Sequence, residues 1–395
     1  MQDAATQLSQ AIQYDRLLDT AIKLVEVPSP TRSAADVSDR LDEILRQDGF
    51  SVERPAAGWP TSPAVVSRYE SGQAGQTLQF NGHLDTVHLS FVPPRVENGM
   101  LYGSGCSDMK GGIAACVEAM RALRETGLLT RGGVMLTAHD LHETPWGDGT
   151  HLNGLIDAGY VGDAVLLPEY LAAPLPVIGR GLSVLTVKIT REGVPVHEVL
   201  GGSETPSVIR AGAELVRRFA EVDEELKQLS HPTAGRESMF VGQVASGEIY
   251  NQSPIEFILR GTRRWLPGTK MNDAEDQYQQ ILADVAEQHG VQIEGRFQVA
   301  RDAYQIDEQG PFVTAFQTAH NAATGKKLPI GAKPFVDDGN EFVHRAGIPA
   351  ITHGPDAKGA HTLNEEVAVD ELVRVALVYA LTAVAFCSGQ TERGE

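Results

Sequence analysis

The fold prediction starts from residues 78–87, Leu78-Gln79-Phe80-Asn81-Gly82-His83-Leu84-Asp85-Thr86-Val87. Apolar and β-prone residues lead into Phe80 and a polar cluster follows, which is typical of a strand that ends at a functional loop. His83 and Asp85 are two positions apart, so they share a face if the strand continues. A neutral imidazole there can bind a metal, and the carboxylate can orient the ring or a neighbouring ligand. Alone, the pair also fits ordinary polar loop chemistry.

Outward from this stretch, helical and strand patterns alternate along the chain. We predict helices at 5–26, 33–47 and 113–125, and strands at 50–53, 64–69, 77–80, 134–138 and 165–167. Alternation of this kind is typical of a mostly parallel α/β sheet that is covered by helices.

The pattern changes after Gly181. The order there is a strand, a helix, two strands, a helix and a strand, at 182–190, 207–219, 238–244, 255–263, 273–289 and 291–299. That order is the one found in ferredoxin-like α+β modules. We therefore expect an inserted domain at 181–300. The outer domain would comprise 1–180 and 301–395, and its second part would contain a helix, a strand and a final helix.

Composition limits the classes of protein and partner. The 395 residues are 42% hydrophobic and 22% charged, and the net charge is −19. Such a surface disfavours nucleic acid and anionic membranes as partners. Three cysteines form no disulfide framework, and there is no signal-peptide pattern. The longest apolar run, 375–386, is shorter than the ~20 residues that cross a bilayer. We expect a cytoplasmic enzyme or binding protein.

Five imidazole or carboxylate side chains lie at predicted strand ends or in loops of the outer domain: His83, Asp108, Glu143, Glu169 and His361. Ligands of open α/β sheets gather at the carboxyl ends of the strands. Two histidines and three carboxylates suit a pair of divalent ions such as zinc. Such a pair can lower the pKa of a water and polarise a carbonyl. The alternative is five unrelated loop residues.

Two segments, 80–87 and 103–112, resemble the signature segments of the M20 metallopeptidase family. Gly354-Pro355 with 360–365 resembles its C-terminal signature, and Pro168-Glu169 is similar to its intermediate ligand segment. The family includes acetylornithine deacetylases, succinyl-diaminopimelate desuccinylases, aminoacylases and carboxypeptidases. The resemblance implies a catalytic domain with an inserted lid, through which two chains form a homodimer.

The same resemblance implies a role for each candidate ligand. His83 and Glu169 would bind one ion and His361 the other, while Asp108 would bridge both. Asp85 would be the active-site carboxylate that supports the metal cluster.

Three lid positions also resemble functional residues of the family. His197 is similar to a histidine that reaches the active site of the partner subunit and stabilises an oxyanion; the alternative is a surface histidine. Asn251 and Arg264 resemble positions that bind a substrate carboxylate, a task that suits a guanidinium. The neighbouring Arg263 is the alternative contact, because one step along a strand changes faces.

The chain departs from the family pattern in two places. Ser104 stands where arginine is usual, and the usual Glu-Glu pair is replaced by His142-Glu143. If Glu143 matches the second glutamate, it binds metal and His142 becomes the base or an additional ligand. If it matches the first, Glu143 is the base and Thr144 falls at the ligand position. Threonine is a poor zinc ligand, so we favour the first alignment.

These patterns predict a two-metal hydrolase that cleaves an amide bond of an N-acyl amino acid or small peptide with a free carboxylate. The metal would be zinc, with cobalt or manganese as alternatives. Because the Glu-Glu pair is missing, the rival hypothesis is a non-catalytic small-molecule or peptide binding protein on the same fold. Asp337-Asp338-Gly339 falls where the family has a segment near the substrate, although a solvated loop fits it equally well.

Overall fold

The computed structural model describes residues 1–143 and 147–388. The helices are α1 (Gln2–Ala11), α2 (Tyr14–Val25), α3 (Ala35–Gln47), α4 (Lys110–Thr126), α5 (Thr150–Asp157), α6 (Val208–Leu226), α7 (Met271–His289), α8 (Pro311–Thr324), α9 (Gly339–Glu341) and α10 (Val369–Cys387). Short 3-10 turns span Glu198–Leu200 and Gly202–Glu204, and a π-helix spans Phe342–Ala346.

The strands follow the same order along the chain. They are β1 (Ser51–Glu53), β2 (Val65–Glu70), β3 (Thr77–His83), β4 (Arg95–Glu97), β5 (Met100–Tyr102), β6 (Gly133–His139), β7 (Ala164–Leu167), β8 (Leu175–Gly179), β9 (Gly181–Thr190), β10 (Val196–His197), β11 (Ser230–His231), β12 (Gly235–Arg236), β13 (Ser238–Ser246), β14 (Gln252–Ser253), β15 (Glu256–Trp265), β16 (Gln292–Arg301), β17 (Tyr304–Gln305), β18 (Ile330–Ala332), β19 (Ala350–Thr352), β20 (Ala357–Lys358) and β21 (Glu366–Ala368).

The chain forms two compact units. The first comprises Met1–Val177, Ile306–Lys333 and Asp337–Glu395, and the second comprises Ile178–Gln305 and Pro334–Val336. The second unit therefore interrupts the sequence of the first.

The first unit contains a six-stranded sheet in the order β1-β2-β6-β3-β7-β19. Strand β3 runs parallel to β6 and β7, and β19 runs parallel to β7, whereas β1 and β2 pair antiparallel at one edge. The predicted mixed α/β architecture with a mostly parallel sheet is confirmed. Every residue of β6 and β7 is buried, as expected for strands covered on both faces.

Helices α4 and α10 contact β3, and α5 packs with the π-helix against β7 and β19. Because α4 is rich in glycine and alanine, it lies close to the sheet, and its residues from Lys110 through Leu123 are all buried. The sheet is thus covered by helices, and polar side chains at the ends of its strands are enclosed.

The second unit has a four-stranded antiparallel sheet in the order β13-β15-β9-β16, with α6 and α7 packed on it. Along the chain this is β-α-β-β-α-β, and the strand order is that of a ferredoxin-like fold. Strand β9 alternates between buried and partly exposed residues, as a sheet with one helix-covered face requires. Strand β13 forms one edge.

One predicted element is wrong in its extent. The helix expected at 5–26 is two helices, α1 and α2, which are separated at Ile12 and Gln13. The backbone N–H of Gln13 donates to Oε1 of Glu118 in α4, at 2.8 Å. This tertiary bond caps the start of α2 and replaces the bond that a continuous helix would make.

None of the described helices is long and apolar enough to cross a bilayer. The three cysteines, Cys106, Cys116 and Cys387, are buried free thiols.

Candidate metal centre

The candidate ligands come from strand ends and from loops of the first unit. His83 is the last residue of β3 and lies in register with His139, the last residue of the parallel strand β6. Glu143 follows β6 by four residues, and Glu169 follows β7 by two. Because these strands are parallel, their carboxyl ends lie at the same edge of the sheet. Asp108 precedes α4 by two residues.

Asp108 lies between two sets of donor atoms. On one side, Nε2 of His83 is 3.2 Å from Oδ1 of Asp108 and 3.8 Å from Oε1 of Glu169. On the other side, Nε2 of His361, from the loop between β20 and β21, is 3.2 Å from Oδ2 of Asp108. The same nitrogen is 3.2 Å from Oε2 of Glu143. Asp108 thus offers one oxygen to each set.

The distances and chemistry of these donors fit divalent ions. Ligands at about 2.0–2.2 Å from a tetrahedral zinc lie roughly 3.3–3.6 Å from one another, close to the separations found here. Imidazole nitrogens and carboxylate oxygens are ordinary zinc ligands, and three carboxylates supply the negative charge that two cations require. Asp108, Glu143 and Glu169 are all buried, so unbalanced charge among them is costly.

The pKa values of the clustered carboxylates and histidines are shifted by burial and by their mutual contacts. Burial raises the pKa of Glu169 well above its usual value, and the Asp108 charge adds to the effect. Burial acts in the same direction on Asp108, but hydrogen bonds to His361 and His83 outweigh it and hold the pKa of Asp108 low. The bonds to Asp108 and Glu143 raise the pKa of His361 to about 10.

Asp85 connects the loop after β3 to the loop after β6. Its Oδ2 accepts bonds from the backbone N–H of Glu143 at 2.9 Å and of His142 at 3.1 Å. The hydroxyl of Thr31 donates to the same oxygen at 2.9 Å. The backbone carbonyl of Asp85 lies 2.9 Å from Nδ1 of His83, which turns Nε2 of that ring towards Asp108. Asp85 therefore orients a ligand on each side.

Glu365 holds the loop that carries Asp108. One of its carboxylate oxygens accepts from the backbone N–H of Gly105 at 3.0 Å. The other accepts from Ser107 at 3.1 Å and from Asp108 at 3.2 Å. Since Glu365 is buried, these three bonds fix the backbone of the loop that carries Asp108.

Glycines in the signature segments allow close contacts at the centre. A Cβ on Gly112 would lie 2.1 Å from the carbonyl oxygen of Pro168, and one on Gly354 would lie 2.0 Å from that of Glu169. Helix α4 and the loop after β19 therefore approach the Glu169 segment at distances that a side chain prevents.

His142 lies on the His83 side of the cluster. Its ring is stacked on the His83 ring, with centroids 4.0 Å apart and planes 6° from parallel. Nδ1 of His142 is 2.9 Å from Oδ1 of Asp338, and Nε2 is 3.9 Å from Oε1 of Glu169. A nitrogen of His142, a nitrogen of His83 and an oxygen of Glu169 are close enough to form one potential ligand group, and His83, Asp108 and Glu143 form another.

Asp338 is buried and accepts three side-chain bonds. Besides His142, Nε2 of His139 lies 2.8 Å and Nδ2 of Asn81 lies 2.9 Å from its Oδ2. Nδ1 of His139 faces the carbonyl of Asp140 at 3.0 Å, so both ring nitrogens of His139 meet oxygen acceptors. Burial opposes the charge of Asp338, but His142 and His139 outweigh it and hold its pKa well below the usual value. Of the two alternatives for this segment, the solvated loop is wrong, because Asp338 is buried.

The sequence gives no role in the centre to Asn81, His139 or Thr31, and it indicates only that Asp338 lies near the substrate or in a solvated loop. Asn81 and His139 lie near the ends of adjacent strands, which is a usable signal. The contact of Asp338 with His142 joins positions 196 residues apart, so no local pattern predicts it.

The remaining candidates lie in the second unit. Nε2 of His197 is 2.9 Å from Nδ2 of Asn251, and Nδ1 of His197 accepts from the backbone N–H of Val199 at 3.3 Å. Nδ1 is therefore an acceptor, and Nε2 faces the side-chain amide of Asn251. Pairing of β10 with β14 brings these two candidate residues together.

Arg264 and Arg263 have different surroundings. Arg263 is buried and donates to Glu237 at 2.7 Å, so it is part of the interior of the unit. Nη1 of Arg264 is buried without a hydrogen-bond partner in the described part of the chain. Burial lowers the pKa of Arg264, and the charge of Arg180 adds to this. A buried, unpaired guanidinium nitrogen is suited to an anionic ligand. Thr144, the alternative ligand position, lies outside the described residues.

The parallel sheet and the two donor sets at its carboxyl edge define an α/β protein with a candidate dinuclear metal centre. Residues 79–385 match the family described as Peptidase family M20/M25/M40. The chain belongs to this family and is a metallo-hydrolase.

Relatives along the full chain agree with this assignment. The chain is 27% identical to a succinyl-diaminopimelate desuccinylase of Methylobacterium nodulans, over 93% of this chain and 95% of the relative. It is 23% identical to N-formyl-4-amino-5-aminomethyl-2-methylpyrimidine deformylase of Bacillus subtilis, over 96% of this chain and 95% of the relative. The fold matches an M20 family metallo-carboxypeptidase, Sso-CP2 of Sulfolobus solfataricus, with a TM-score of 0.78, 16% identity and coverage of 94% and 99%.

Proposed function

We propose that this chain is a two-metal amidohydrolase that removes the acyl group from an N-acyl amino acid or small peptide with a free carboxylate. The observation that carries the proposal is the position of Asp108 between two donor sets, one containing His83 and Glu169 and the other containing His361 and Glu143. Zinc is the proposed metal, because imidazole and carboxylate are both among its usual ligands.

Divalent ions at this centre would polarise the scissile carbonyl and lower the pKa of a water molecule. His142, rather than a glutamate, is the proposed general base. Its Nε2 faces the donor set of His83 and Glu169, within reach of a water bound there. It takes a proton from the attacking water and delivers it to the leaving amine. Glu143 is then a ligand, which its short distance to His361 supports.

The lid residues are proposed to handle the substrate. His197 would donate a bond from Nε2 to the oxyanion that develops from the carbonyl. Arg264, whose Nη1 lacks a described partner, would receive the substrate carboxylate. Asn251, which contacts His197, is proposed to bind the substrate as well. The desuccinylase and the deformylase are both named for removing an acyl group, which supports deacylation as the reaction.

We also propose that the protein is a homodimer that forms through the second unit, with His197 serving the active site of the partner subunit. Strand β13 is an edge of its sheet and exposes Phe240 and Val244. An edge strand with exposed apolar side chains is suited to pairing with a second copy. Val199 and Leu200, next to His197, are also exposed.

The test of the metal centre compares Glu143→Gln with His142→Gln. If Glu143 is a ligand, its variant should bind less metal, because a neutral amide is a weaker ligand than a carboxylate. If His142 is the base, its variant should keep both ions and lose about 10²–10⁴-fold in turnover, the usual contribution of a general base. Metal per chain is measured by mass spectrometry, and turnover is measured on a panel of N-acetyl and N-succinyl amino acids.

Glu97→Gln is the matched control, because this exposed glutamate on β4 pairs with Arg95 and not with a candidate ligand. A Glu143→Gln protein with two ions and no activity would make Glu143 the base and refute the assignment. Equal turnover of substrates with and without a free carboxylate would remove the proposed role of Arg264.

A further inference from the structure

We propose that Asp338 is a positioning residue that holds the proton of His142 on Nδ1, so that Nε2 carries the free lone pair that faces the metal ligands. The inference rests on the proposed role of His142 as base, and it names the group that prepares this residue for that role.

The first argument is the direction of the hydrogen bond. A carboxylate only accepts, so the 2.9 Å contact between Oδ1 of Asp338 and Nδ1 of His142 places a proton on Nδ1. In a neutral imidazole the other nitrogen is then unprotonated. The unprotonated Nε2 is the atom near Oε1 of Glu169, on the side of the candidate ligands.

The second argument is that Asp338 is itself held in place. His139 and Asn81 both bond its Oδ2, so a rotation that withdrew Oδ1 from His142 would break two buried bonds. The His142 backbone is bonded to Asp85, and its ring is stacked on His83. The ring is therefore fixed at its backbone, on one face and at Nδ1, which leaves Nε2 as its reactive atom.

The third argument concerns the residue type at position 142. A glutamate there would bring a second carboxylate towards Asp338 in a buried site, where two like charges repel. A histidine at position 142 instead donates a hydrogen bond from Nδ1 to Asp338. The chain therefore couples its unusual residue at position 142 to the carboxylate at position 338.

The spectroscopic test uses zinc-loaded protein with ¹⁵N-labelled histidine, since zinc is diamagnetic. Imidazole ¹⁵N shifts should show His142 with its proton on Nδ1 in the native chain, assigned by loss of the signal in His142→Gln. In Asp338→Ala and Asp338→Leu this single tautomer should be lost, because neither side chain has an acceptor for Nδ1–H. Asp338→Leu fills the space of the carboxylate, so it covers the case in which Asp338→Ala fails to fold.

The kinetic test is a double-mutant cycle. Asp338→Ala should lower kcat about 10–100-fold with little change in KM, as expected for loss of a partner that orients a functional histidine. In the His142→Gln background the same substitution should lower kcat less than about threefold, because the group that Asp338 positions is already absent. Zinc per chain is measured in all four proteins.

Asp337→Asn is the matched control. Asp337 is the adjacent buried aspartate, and it pairs with Lys333 and Thr352 rather than with a histidine ring. This variant should lower the melting temperature but leave the His142 tautomer unchanged.

Persistence of the Nδ1–H tautomer in both Asp338 variants would overturn the inference, as would an equal kcat loss in the two backgrounds of the cycle. Full turnover by His142→Gln would instead refute the proposed base, while the ¹⁵N spectra would still decide the role of Asp338.

Discussion

His142 and Glu143 are neighbours in sequence but contact different partners. Glu143 approaches His361, and His142 bonds Asp338 and stacks on His83. The sequence allowed Glu143 to match either the first or the second glutamate of the family pair, because one-residue shifts change little in a pattern. The three-dimensional partners favour Glu143 as ligand and His142 as base, which stays a prediction until metal content and turnover are measured.

Glu365 offers a residue-scale prediction for the centre. In Glu365→Gln, an amide nitrogen must replace an oxygen that now accepts from Gly105 or from Ser107 and Asp108, so two donors would face each other. The loop of Asp108 should shift and zinc should bind about 10–100-fold more weakly, the usual loss for such supporting groups. Titration with a competing chelator measures the affinity.

The control for this substitution is Glu366→Gln, one residue further along the chain. Glu366 is half-buried at the start of β21 and lies outside the Asp108 loop. Zinc affinity in Glu366→Gln should equal that of the native chain. Unchanged affinity in Glu365→Gln would show that the three backbone bonds do not hold the loop that carries Asp108.

Among the secondary-structure elements, long periodic helices could be predicted from the sequence, whereas breaks that depend on tertiary contacts could not. Helix α7 was expected at 273–289 and spans Met271–His289. The break between α1 and α2 depends on Glu118, a residue 105 positions away from Gln13, which no local pattern reveals. The sequence could identify the ligand candidates because each of them lies within a short contiguous signature segment. The sequence placed Asp338 near the substrate as one of two alternatives, but it could not predict the contact with His142, which is 196 positions away.

Strand β13 gives the prediction for the dimer. Val244→Lys places a charge on the exposed edge strand, where lysine disfavours pairing with another strand. The mass in solution should fall from about twice 42.5 kDa towards 42.5 kDa, as measured by light scattering. Because His197 is proposed to act on the partner subunit, activity should fall as well, while zinc content should stay at the native level.

Val96→Lys is the matched control, since Val96 is a valine of similar exposure, 40% against 53% for Val244, on β4 of the other unit. It should remain dimeric and active. A Val244→Lys protein that stays dimeric would exclude this edge as the interface, and a fully active monomer would exclude action of His197 on a partner.

Across the whole molecule, several histidines outside the ligand set are buried without charge. Burial lowers the pKa of His151 to about 3, with a contribution from His139, and burial also lowers the pKa of His320 and His353. Composition indicates how many histidines the chain has but cannot show which are enclosed. The overall acidic charge therefore does not by itself determine how stability depends on pH.

The buried histidine His151 should make the folded chain less stable as the pH falls. Its pKa is lower in the folded than in the unfolded chain, where it is ~6.5, so below pH 6.5 the unfolded chain binds a proton that the folded chain does not. The free energy of unfolding should therefore decrease as the pH falls, by about 2 kcal/mol at pH 5 from this residue. Urea unfolding with a chelator present, at pH 7.5 and pH 5, measures the decrease.

His151→Asn removes the titrating group but keeps an acceptor for the backbone N–H of Asp140, which now bonds Nδ1 of His151 at 3.1 Å. The decrease in unfolding free energy between pH 7.5 and pH 5 should be about 2 kcal/mol smaller in this variant than in the native chain. His231→Asn is the control, because that ring also accepts backbone bonds but is only partly buried. If His151→Asn and the native chain lose stability equally, protonation of His151 does not couple to unfolding.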